Sequence, residues 1–137
     1  MEIEIFTLAD HAADYGNGKL VIAGTFDTIS GLNFPLVHPT CSLALRIRVS
    51  NSEAGNHSFE IKSVGMPNVQ PIKGNLSVKK NINADHSTIN LVANLNNLKF
   101  DKPGRYSFEF HFNNEFRSGL HLFVLKGAPN KVVPSNN

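Results

Sequence analysis

The stretch Gly104 to Phe112, GRYSFEFHF, places an aromatic ring at every second residue: Tyr106, Phe108, Phe110 and Phe112. Ser107, Glu109 and His111 fall between them, and Asn113 follows. A helix would scatter these rings around its axis, whereas an extended strand turns them all to one face. Four rings left in water would form a flat adhesive patch. Burying each one contributes roughly 1.5–3 kcal/mol. The ribbon therefore reads as a core strand, and it commits the chain to a second layer that covers it.

The same period recurs along the chain. Cys41, Leu43, Leu45, Ile47 and Val49 alternate with Ser42, Ala44, Arg46, Arg48 and Ser50. Shorter alternations follow around Phe59 and Ile61, Leu76 and Val78, Ile89 to Leu95, and Leu120 to Val124. Ile3 and Ile5 alternate with Glu2 and Glu4, and Gly18 to Ile29 reads as a strand with a bulge or kink at Gly24. Residues 8–15, LADHAADY, read as one or two helical turns or a polar loop, closed by a turn at Gly16-Asn17-Gly18. Asn113-Asn114 between two alternating runs reads as a tight hairpin, because Asn tolerates positive φ. Asp101 to Gly104 form a sharp corner, from which Tyr106 can return its hydroxyl to the turn backbone, as in the tyrosine corner of immunoglobulin-like sandwiches. The antibody disulfide and core Trp are absent, since the chain has one Cys and no Trp. The expected fold is all-β: an antiparallel, immunoglobulin-like sandwich of about eight strands, in one domain over 1–126 with a tail over 127–137 that frays at Pro134 to Asn137.

Length and composition agree. A chain of 137 residues is one ordinary domain and needs no covalent staple. With Cys41 its only cysteine it forms no internal disulfide, which points to a reducing, cytoplasmic setting. The N-terminus shows no secretory pattern, and no apolar run is long enough to span a bilayer. The formal charge of +2 is scattered, with Lys79-Lys80 the densest pair. No nucleic-acid or membrane partner is expected from it.

The order GKLVIAGTFDTI, then FPLVHP, then LKFDKPGRYSFEFHFNNEF resembles a family of short bacterial proteins known only as a domain of unknown function. The positions that carry the likeness run from Asp10 through Gly18, Gly24, Phe26, Asp27, Phe34, Pro35 and His38 to Pro103, Gly104, Tyr106 and Phe108. The resemblance implies a β-sandwich of cytoplasmic type and brings no activity with it. Many relatives carry an acidic-Gly turn where this chain has VGMPNVQPIKG, with Gly65, Pro67 and Asn68.

The chemistry-bearing residues are dispersed. His11, His38, His57, His86, His111 and His121 form no HxH or HxxxH pair, and they read as loop or solvent-facing residues. His111 and His121 could face each other across the Asn113-Asn114 hairpin. Cys41 shares the apolar face of Leu43 and Leu45, where a thiol acts as a small hydrophobe with a raised pKa. Asp27 reads as a carboxylate bound to a loop backbone. Arg46 and Arg48 share a wet face that Lys62, Lys79 and Lys80 could adjoin. There is no G-x-S-x-G and no P-loop.

These features point to a non-catalytic accessory, assembly or protein-binding module. It would use no metal or cofactor, and would act through a protein partner or as a homo-oligomer formed at a strand edge or sheet face. Val92, Phe123 and Leu125, apolar where the alternation calls for wet residues, hint at such a contact. One alternative is a metal-assisted hydrolase or isomerase that gathers Asp10, His11, Asp27 and His38 at one end of the sandwich. The other is a small-ligand or glycan-binding module, which requires exposed aromatic rings in a concave face.

Overall fold

The computed structural model describes residues 1–128 and Ser135; most of the tail expected over 127–137 lies outside them. Nine strands are present among the described residues: β1 (Glu2–Gly16), β2 (Lys19–Phe26), β3 (Thr28–Gly31), β4 (Leu36–Ser50), β5 (Gly55–Val64), β6 (Ile72–Val78), β7 (His86–Phe100), β8 (Gly104–Phe112) and β9 (Glu115–Lys126). They form a four-stranded sheet in the order β2-β1-β4-β7 and a five-stranded sheet in the order β3-β9-β8-β5-β6. Long strands accumulate right-handed twist, and one of the sheets curls into a half-barrel.

The aromatic ribbon is buried. Phe110 is fully covered, Phe108 is 1% exposed, Phe112 4% and Tyr106 8%. Leu43, Leu45, Ile47 and Val49 of β4, Leu122 and Val124 of β9, and Leu8 of β1 complete the core with them. Tyr106 packs edge-on against Phe100 with ring centroids 5.0 Å apart. Its hydroxyl donates to the Lys102 carbonyl at 2.7 Å, so the expected corner is present.

The hairpins follow from residue chemistry. Phe112 pairs with Glu115 across Asn113 and Asn114, whose φ values are 50° and 64°. A two-residue loop that matches strand twist needs positive φ at both positions, which Asn accepts more readily than most residues. Asn17 and Gly18 make the equivalent turn between Gly16 and Lys19.

Three readings are corrected. Residues 8–15 are neither helix nor loop: they continue β1, which pairs with both β2 and β4. Leu8, Ala9 and Ala12 are all buried there, so adjacent residues are covered on both faces and the alternation is erased. The second correction concerns the strand through Gly24. Gly24 has a φ of 72° but no register slip beside it, so it is a kink within β2. The break comes later, at Asp27, where the chain leaves one sheet and enters the other as β3. That crossing delivers β3 parallel to β9, an exception to the antiparallel expectation, and raises the strands to nine. Third, the six histidines sit in strands rather than loops; His11 and His121 face solvent as expected, and the other four are half-buried.

Candidate functional site

Asp10 and His11 are neighbours on β1. Successive side chains of a strand point to opposite faces, so they cannot serve one centre. The Asp10 carboxylate lies where Gly24 leaves room: a Cβ on Gly24 would fall 2.6 Å from Asp10 Oδ2. His38, on β4, is half-buried with its ring 5.6 Å from that of Phe26, and its Nε2 is buried without a partner. Asp27 accepts the Thr28 hydroxyl at 2.8 Å, a side-chain contact rather than the backbone contact expected. Its main-chain carbonyl accepts the Phe123 N–H at 2.8 Å, which ties the crossing to β9. Among the described residues no three His, Cys, Asp or Glu side chains come together to hold an ion.

His111 and His121 do not face each other. His111 opposes Phe116 on β9 while His121 opposes Ser107 on β8, because a turn at Asn113-Asn114 sets residue 111 against the start of β9 and the bulge beside Phe110 shifts that register by only one residue. His111 Nε2 lies 3.1 Å from Glu109, and Arg105 reaches His121 at 2.8 Å. His57 is held on both nitrogens: Asn113 Nδ2 donates to Nδ1 at 2.9 Å, and Nε2 donates to the Glu53 carbonyl.

Cys41 is buried, and its thiol pKa is pushed up to about 11, first by loss of hydration and then by the Asp10 charge nearby. The thiol is thus protonated at neutral pH and a poor nucleophile. In the native protein at pH 8 a maleimide or disulfide reagent is expected to leave Cys41 unmodified over hours, and to label it fully in denaturant; rapid native labelling contradicts this.

The basic residues are divided between the layers. Arg46 and Arg48 lie on β4, and Arg48 Nε is 3.2 Å from Glu4. Lys62 stands opposite Glu109 in the other sheet. The outer face of the five-stranded sheet holds an open depression of about 540 Å³, lined by Glu60, Lys62, Lys73, Asn75, His111 and Asn114 among others. Lys73 pairs with Glu60 at 4.0 Å. On the same sheet Phe123 and Leu125 are exposed, with the Arg105 guanidinium 5.9 Å from the Phe123 ring centre. Val92, in the other sheet, is half-buried.

The feature that distinguishes this chain is an edge. Unpaired sheet edges are normally blunted by shortness, Lys, Pro, bulges or kinks. β3 has four residues. β6 has seven, carries Lys73 and Gly74, and lies between Pro71 and Lys79-Lys80. β2 is kinked at Gly24. β7 runs for fifteen residues and, among the described residues, pairs only with β4. It contains no proline, and no Asp, Glu, Lys or Arg lies between His86 and Lys99. Its one irregularity is Asn97, at φ 54°, near the end. Sequence reading found the alternation of this strand. It missed the edge, which depends on strand order, although the absence of charge was visible.

A family model matches residues 4–125, a span that begins within β1 and ends within β9. The chain belongs to DUF6941, a family of unknown function. No curated protein matches the chain. The family match takes in β2 to β8 whole and most of β1 and β9, and brings no reaction or ligand with it. Among the described residues no helix is long and apolar enough to cross a membrane.

Proposed function

We propose that this protein is a non-catalytic assembly or protein-binding module that works by strand addition at β7. The observation that carries this reading is the contrast between β7 and the other three edges: it alone is long and free of charge and proline over its regular part. Such an edge offers a row of main-chain donors and acceptors to an incoming strand, with alternate side chains supplying specificity. Ile89, Leu91 and Ala93 on this flank are only partly covered by the chain itself, so an added strand would also bury apolar surface.

A lysine placed mid-edge tests this. Val92→Lys lies on the outer side of β7, opposite Ala44. It should change folding stability by no more than about 1 kcal/mol, the range of strand substitutions. It should weaken association measured with purified protein about tenfold or more, a cost of about 1.4 kcal/mol. The control Phe123→Ala, on the outer face of the other sheet, should leave association unchanged. Equal binding by wild type and Val92→Lys, or loss only in Phe123→Ala, refutes the edge as the contact.

A further inference from the structure

We infer that the strand added at β7 is the β7 of a second copy of this chain. This rests on the reading of β7 as a contact edge and names its occupant. A twofold axis normal to the sheet makes the two β7 strands antiparallel, and a closed twofold interface uses the same patch on both subunits. The four strands of each copy then continue as one sheet.

The sequence of β7 suits such self-pairing. Residues directly opposed in an antiparallel pair share a face, so the two residue numbers in each pair must add to an even value. A slip of one residue would set core-side residues against wet ones. Any even sum near the middle of the regular stretch His86–Asn96 therefore places Ile89, Leu91 and Ala93 against one another, and Asn90, Val92 and Asn94 against one another. No ionised pair of like sign is opposed, because the strand between His86 and Lys99 has no charge to oppose. A strand meeting itself always meets its own charges, so an edge that carries lysines repels its copy. β6, with Lys73 and the adjoining Lys79-Lys80, has that character. The chain crosses between the sheets at Asp27 on the β2 side and over residues 79–85 on the β7 side, where Asn81 and Lys79 bond His86 and Ser87, so the open stretch of β7 begins at Thr88.

The test combines mass with geometry. Light scattering on purified full-length protein should give a dimer at tens of micromolar that dissociates on dilution, with the dissociation constant raised about tenfold in Val92→Lys. Single-cysteine substitutions at Thr88, Asn90, Val92 and Asn94 are then oxidised alone and in mixed pairs, with the native Cys41 buried and silent. Interchain disulfides should form only between positions whose numbers share one constant even sum. A dimer with no constant sum, or one unaffected by Val92→Lys, overturns the inference. So does a monomer at every concentration. If that monomer still binds another purified protein in a Val92-dependent way, self-pairing fails while the edge reading survives. If Val92→Lys has no effect on any association, both fail.

Discussion

Phe110→Ala is expected to cost about 3–5 kcal/mol of folding stability. The ring is fully buried on β8 and packs 6.3 Å, centre to centre, from Phe6 and from Phe112. Phe6 comes from the four-stranded sheet and Phe112 from the five-stranded one, so truncation opens a cavity between the layers. Domains of this kind have roughly 5–15 kcal/mol in total, so the loss approaches the whole stability at the low end of that range. A fall in melting temperature of about 10–20 °C is the corresponding calorimetric result. Phe110→Leu, which keeps most of the volume, should cost less than half as much. A Phe110→Ala loss below about 1 kcal/mol means that the ribbon does not lie between the layers.

Asn113→Ala is expected to be the most damaging change outside the core, at about 2–5 kcal/mol. Three contacts meet at this residue. Its side-chain oxygen accepts the Ser58 N–H at 3.0 Å, its amide donates to His57 Nδ1 at 2.9 Å, and its own N–H donates to the Ser58 carbonyl at 2.8 Å. They fasten the β8–β9 hairpin to β5 and hold the His57 ring against Phe112, 4.9 Å away. Alanine removes the two side-chain bonds, at about 0.5–1.5 kcal/mol each, and must also adopt a φ of 50°, at about 1–2 kcal/mol. Glycine meets the backbone demand freely. Asn113→Gly should therefore retain about half of what alanine loses. Chemical denaturation of the three proteins gives the comparison, and equal losses for Ala and Gly remove the backbone share.

Much of the architecture was legible because its causes are local. The rings of β8, the asparagines of its hairpin, the Tyr106 corner and the apolar register of Cys41 each follow from one strand's alternation or one turn's φ. The misses have non-local causes. Ala9 and Ala44 lie under their neighbours although their positions alternate with the core-facing Leu8 and Leu43. Small side chains are covered by what surrounds them, so residues 8–15 hid their strand. Leu95 and Leu98 are both buried although three residues apart, because Asn97 at positive φ shifts the phase of β7. Met66, in a loop, is buried as deeply as Cys41, and Pro and Gly nearby masked it. The proposed Asp10, His11, Asp27 and His38 set was drawn from sequence proximity to turns. Strand alternation separated its first two members, and the sheet crossing engaged Asp27. The β7 edge needed the pairing order, because a strand's own residues do not say whether it has one neighbour or two.

Residue-resolved amide hydrogen exchange of dilute protein bears most directly on the open edge of β7. Between Ser87 and Asn96, amides that bond to β4 should exchange slowly and the alternate ones almost as fast as exposed loops. Uniformly slow exchange along this segment in the single chain contradicts an open edge, and the proposed mode of assembly with it.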